Sequence, residues 1–190
     1  MINGITYGKG CSFLKQLYHL IGYEAFSEAT KIYFEKFQWR NTVLGDFLGC
    51  LDEAYEKCPK KTENIVVSKW ASTFLNTRGA NVFSGAIEGN QLTVTQEVPE
   101  FSEGLRQQKV DVLFFNDKFE TEIQTFMTTE TNATVNVTID DPEKKFFILN
   151  HGDNAYGKII LNAETCTFLS KKLNGLDDSL TRALVWKGKS

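Results

Sequence analysis

Few side chains in this 190-residue sequence are equipped for metal or nucleophilic chemistry. The two histidines are His19 and His151. A zinc site takes three or four convergent His, Cys, Asp or Glu ligands, and the sequence contains no H-E-x-x-H pair. His19 has no second histidine four residues away, and His151 lies in the turn His151-Gly152-Asp153. Both read as surface or capping histidines. The four cysteines, Cys11, Cys50, Cys58 and Cys166, form no C-x-x-C pair and read as reduced thiols of an intracellular protein. There is no G-x-S-x-G, while a triad assembled only in space stays open. Gly4, Gly8 and Gly10 are evenly spaced, but no strand precedes them, so they do not read as a dinucleotide loop. Asp140-Asp141 precedes Pro142 in a turn. Asp177-Asp178 stands at a helix start, where the dipole favours anions. Asn132-Ala133-Thr134 and Asn136-Val137-Thr138 match glycosylation sequons, yet read as an alternating strand that contains Asn and Thr. Spacing alone therefore identifies no self-contained active site.

The elements that must position these residues fall into two halves. From Lys9 to about Leu75 the apolar period is helical. Phe13, Leu14, Leu17, Leu20 and Ile21 are expected on one helix face, and Gly22 is expected to break that helix. A second run carries Phe26, Ala29, Ile32, Tyr33 and Phe37. Gly45-Asp46 caps a third helix with Phe47, Leu48, Leu51 and Ala54, and Pro59 ends it. A fourth carries Val66, Trp70 and Phe74 and stops before Gly79. Beyond Gly79 the period moves toward two. Strands are predicted over 82–87, 91–96, 110–115, 121–128, 133–139 and 146–150, separated by Gly-Asn, Asn-Asp and Asp-Asp-Pro turns. Short strands at this spacing, with no helices between them, suggest an antiparallel sandwich. Helices return over 163–173 and from Asp177 or Asp178 onward; a last helix running to Ser190 suggests further chain.

Composition narrows the class. With 42% hydrophobic and 24% charged residues, a packed core is expected and wholesale disorder is not. The net charge of -3, with basic residues scattered among acidic ones, argues against a nucleic-acid surface. No run of 18 apolar residues predicts a transmembrane helix. Residues 1–7 carry no charged stretch followed by an apolar one, so no signal peptide is expected, and the expected location is cytoplasmic.

Several ordered stretches resemble one family. Tyr7-Gly8-Lys9-Gly10, followed by a helix, is similar to the Tyr-x-Lys-Gly pattern of the gluzincin zinc aminopeptidases, the aminopeptidase N family. The likeness continues in Tyr33-Phe34 and in the run from Trp39 to Leu48. Trp70…Phe74-Leu75-Asn76-Thr77-Arg78-Gly79-Ala80-Asn81 resembles that family's W-L-x-T-x-G-x-N stretch. Further likeness follows in Leu149-Asn150…Asp153…Tyr156-Gly157-Lys158-Ile159 and in the run from Leu180 to Trp186.

The resemblance implies an α+β fold in three parts. Residues 1–78 would be the C-terminal helices of a thermolysin-like catalytic domain, 79–150 a small antiparallel β-sandwich, and 151–190 a short helical segment opening a C-terminal helical domain. It also implies part of a zinc-dependent enzyme that removes N-terminal amino acids from peptides, with peptides as substrates. Zinc is the cofactor of the full-length family member and is not expected in this chain, because the H-E-x-x-H helix, the third zinc ligand and the G-x-M-E-N segment lie upstream of Tyr7 in the family. One catalytic residue carries over. Tyr7 matches the family tyrosine that donates a hydrogen bond to the oxygen of the tetrahedral intermediate. A phenol, with a reference pKa of about 10, is a protonated donor at neutral pH. Without the zinc ligands, inactivity of the isolated chain is expected. A stand-alone, non-catalytic protein-binding module derived from that family is the alternative. Helices taken from a larger catalytic domain should also expose apolar faces.

Overall fold

A computed structural model describes residues 4–188. The chain divides into two compact units, Met1–Thr77 and Arg78–Ser190. Among the described residues no helix is long and apolar enough to cross a membrane.

The first unit is helical. Helix α1 spans Gly4–Phe37 and is interrupted at Gly22, whose φ of 79° and ψ of 168° no helix accommodates. Helices α2 (Leu44–Glu56) and α3 (Val67–Leu75) follow. Their shared core takes Phe13, Leu17, Leu20, Ile21, Ala25 and Ala29 from α1, Leu51 and Tyr55 from α2, and Trp70 and Phe74 from α3. Phe13 stacks on Trp70 at 5.6 Å between centroids, and Trp70 packs on Phe74 at 4.7 Å. Burying each such side chain contributes about 1.5–3 kcal/mol. Leu14 departs from expectation: it is 45% exposed, while Gln16 is fully buried. Each residue advances a helix by about 100°, so Leu14 falls off the line joining Phe13 to Leu17. The Asp46 carboxylate accepts from the Val43 backbone N–H at 2.9 Å, which fixes the start of α2 as expected. Apolar groups do face solvent here, notably Tyr7, Tyr23, Phe34, Trp39 and Val43.

Among the described residues the second unit holds seven strands and two α-helices. Strands β1 (Asn81–Glu88), β2 (Gln91–Glu97), β5 (Thr134–Thr138) and β7 (Gly157–Ile159) form a sheet in the order β5-β2-β1-β7. Strands β3 (Lys109–Phe115), β4 (Thr121–Met127) and β6 (Phe146–Leu149) form another in the order β4-β3-β6. Every pairing is antiparallel except β1 with β7, which is parallel. Phe83, Leu92 and Val94 of the first sheet share one buried cluster with Val112, Phe114 and Phe147 of the second. The other face of the second sheet, Leu113, Phe115 and Ile148, packs on Leu169 and Val185 from α4 (Ala163–Lys172) and α5 (Ser179–Gly188). A sheet covered on both faces needs apolar side chains at consecutive positions. This accounts for the unbroken Val112-Leu113-Phe114-Phe115 and Phe146-Phe147-Ile148-Leu149 runs. The five helices and two small, mainly antiparallel sheets make an α+β fold.

A buried guanidinium organises the start of this unit. Arg106 is fully buried. Its Nη1 donates to Asn81 Oδ1 at 2.8 Å. Its Nη2 donates to the carbonyls of Arg78 at 2.9 Å and Gly79 at 3.2 Å. Its plane lies 5.9 Å from the Tyr156 ring centroid. Burial pushes its pKa below the usual guanidinium value, while Tyr156 and Glu103 pull it back up. Gly79, at φ 72°, is required at this crossing, because a Cβ there would sit 2.1 Å from Ser102 Oγ. Replacing Arg106 by Leu would strand the two carbonyls and Asn81. We expect it to cost about 3 kcal/mol of unfolding free energy, read from urea denaturation of the chain; a loss within about 0.5 kcal/mol would contradict this account.

Candidate functional site

Tyr7 sits in the second turn of α1, with its side chain 71% exposed. The helix begins at Gly4, several residues before the Lys9 start expected from periodicity. That opening segment is a poor helix by itself. Gly4, Gly8 and Gly10 each cost about 1 kcal/mol relative to alanine, and its first turn has no acidic residue. Added Cβ atoms at Gly8 or Gly10 would meet nothing within 4 Å, so packing by the described residues does not demand glycine there. Upstream of Phe13 no described side chain is buried. A polar tether reaches this stretch from the rest of the unit: Lys9 Nζ donates to the Thr77 carbonyl at 2.5 Å, just past the C-terminal end of α3.

The remaining candidates scatter or are engaged elsewhere. His19 is half-buried on α1, with Nε2 shielded from solvent, rather than at the surface or a cap. His151 is half-buried in a 3-10 turn, its Nδ1 3.0 Å from Thr181 Oγ1. Thr181 Oγ1 in turn donates to Asp178 Oδ2 at 2.5 Å, and the Thr181 backbone N–H donates to the same oxygen at 2.8 Å. Asp178 is therefore the cap of α5, as its place in the sequence predicts. Because the Thr181 proton is given to the carboxylate, its lone pair faces His151, which assigns the imidazole proton to Nδ1. Asp141 closes its turn by accepting from the Glu143 N–H at 2.9 Å. Cys50 is buried, and burial raises its thiol pKa, which keeps it a neutral thiol. Among the described residues no three His, Cys, Asp or Glu side chains converge to hold a metal.

Known proteins resemble the part of the chain that holds this geometry. Residues 1–70, which carry Tyr7 and all of α1 and α2, match the Peptidase family M1 domain. Aminopeptidase N of Streptomyces lividans is 28% identical over 206 residues, taking in 97% of this chain. Over residues 1–70 the chain is thus similar to M1 peptidases. Aminopeptidase N of Lactococcus lactis subsp. lactis is 34% identical over 95 residues, or 50% of this chain. Human glutamyl aminopeptidase is 32% identical over 79 residues, or 42% of this chain. The chain spans 22% of the length of the Streptomyces protein, 10% of the Lactococcus protein and 8% of the human one.

The later stretches that resembled the family do structural work. Asn81 accepts from Arg106 and donates from Nδ2 to the Gly104 carbonyl at 2.9 Å. Asn150 adopts left-handed φ of 59° and brackets Ala155, donating to its carbonyl at 3.2 Å and accepting from its N–H at 2.7 Å. Gly157 lets β7 pass under Phe83, where a Cβ would approach the ring to 2.4 Å. Gln108, which spacing did not single out, clasps Tyr156 through both the N–H at 2.6 Å and the carbonyl at 3.0 Å. A long-range pair of this kind leaves no local pattern to read.

The Asp178 cap has a definite pH signature. The Thr181 hydroxyl, then its N–H, holds the Asp178 carboxyl below the usual range. A depressed carboxylate contributes stability above its unfolded pKa of about 3.9 and loses it as pH falls through the folded value. Asp178→Ala should therefore lower the urea midpoint at pH 7. The gap from the parent should shrink as pH drops below about 4. A gap independent of pH would refute the assignment.

Proposed function

We propose that this chain is part of a zinc-dependent aminopeptidase that removes N-terminal residues from peptides, and that Tyr7 is its transition-state hydrogen-bond donor. Supporting this most directly is the M1 match over residues 1–70, which takes in the Tyr7-x-Lys9-Gly10 segment on α1, its phenol turned to solvent and open to a substrate. On this reading residues 1–78 are the last helices of a thermolysin-like catalytic domain. Residues 79–150 are the β-sandwich, and 151–190 open a helical domain. The metal ligands come from outside these 190 residues. Zinc, held there, would polarise the scissile carbonyl and activate water.

This chain's own contribution is the phenol. As the carbonyl carbon becomes tetrahedral its oxygen gains negative charge. A donor aimed at that oxygen strengthens in the transition state more than in the ground state, and so acts on kcat. Tyr7→Phe removes one hydroxyl and nothing else. In the zinc-loaded enzyme containing this segment it should lower kcat by ~10²–10³ with little change in KM. Unchanged kcat would overturn the role given to Tyr7. The isolated chain should hold no stoichiometric zinc by metal analysis and release no product from aminoacyl amides; one tightly held zinc per chain would sink the assignment of the ligands to other residues.

A further inference from the structure

We propose that Lys9 is a positioning residue for Tyr7, clamping the glycine-rich start of α1 to the end of α3 so that the phenol keeps a fixed aim. The inference rests on the role proposed for Tyr7. Its geometry stands independently. The two residues are two apart on a helix, so about 200° of rotation separates them. Lys9 is half-buried and reaches Thr77, while Tyr7 faces outward. A tether on the inner face thus sets the rotation and height of the outer one.

The acceptor is well chosen. The last carbonyls of a helix have no partner within it and form the negative end of its dipole. Thr77 lies two residues beyond Leu75, the last residue of α3, and its hydroxyl turns back to the Thr73 carbonyl. A lysine ammonium on such a carbonyl makes a charge-assisted hydrogen bond, about twice as strong as a neutral one. The need for it is equally plain. Among the described residues, the first buried side chain of α1 is Phe13, six residues after Tyr7. Three glycines weaken the helix in between and before. Without the clamp, the turns carrying Tyr7 would fray, and a misplacement of about 1 Å at a reacting group costs up to ~10²-fold in rate.

The test pairs a structural readout on this chain with kinetics. In hydrogen exchange on the isolated chain, Lys9→Met should speed the amides of residues 8–12 about tenfold while leaving those of α2 and α3 unchanged. Lys9→Arg, which keeps charge and reach, should restore protection. In the zinc-loaded enzyme containing this segment, Lys9→Met should lower kcat ~10–100-fold with KM nearly constant, and Arg should rescue it. Added to Tyr7→Phe, Lys9→Met should cause no further loss, since it acts through the missing hydroxyl. Full additivity, unchanged exchange, or exchange raised throughout the unit would overturn the positioning role. If Tyr7→Phe alone leaves kcat intact, the reading of Tyr7 fails first. If Tyr7→Phe is crippled and Lys9→Met is not, only the clamp fails.

Discussion

A buried charged group whose donors are met sets the order of the second unit. The guanidinium ends of Arg106 donate to two backbone carbonyls and a side-chain amide oxygen. Such a charge is tolerated only where its donors are met, because moving an unmet one out of water costs several kcal/mol. The chain around it is shaped accordingly. Gly79 takes a left-handed conformation so that its carbonyl faces the guanidinium. Asn81 spends its oxygen on Arg106 and its nitrogen on Gly104, and Tyr156 supplies an aromatic face. The first residues of the unit are therefore fixed before β1 begins its ladder with β2.

From that anchor the two sheets follow from burial. β3 lies between β4 and β6 and is covered on both faces, so apolar residues at successive positions are all used. Its edge neighbour β4 is partly uncovered, with Ile123 55% exposed, and there alternation with polar residues returns. The family resemblance carried by Gly79, Asn81, Asn150 and Gly157 is thus a resemblance of backbone geometry. These residues hold turns and crossings. The chemistry proposed for the chain resides in the other unit, at a single exposed phenol.

Much of the fold was legible. Turns such as Gly89-Asn90 bound β1 and β2 to within a residue or two, and the Gly22 break and Asp178 cap stand where their backbone chemistry requires. What was hidden is non-local. β7 is three residues long and pairs in parallel with β1, so neither alternation nor a hairpin announces it. The start of α1 at Gly4 runs against propensity, since three glycines argue for a loop. The burial of Arg106 and Gln108 leaves no local pattern, because their partners lie 25 to 48 residues away. At the candidate site, Tyr7 could be named from its neighbours Lys9 and Gly10. Where Lys9 reaches, and that the phenol faces solvent, required the fold.

Gly22 has a mechanical meaning as well as a geometric one. Helical order propagates residue by residue through the i to i−4 ladder, and at Gly22 that ladder stops. Melting that begins at one end of α1 must nucleate afresh on the other side. The stretch Gly4–Ile21 therefore propagates its helical order separately from Tyr23–Phe37. The tyrosine whose aim Lys9 is proposed to fix is carried on the longer of the two separately propagating halves.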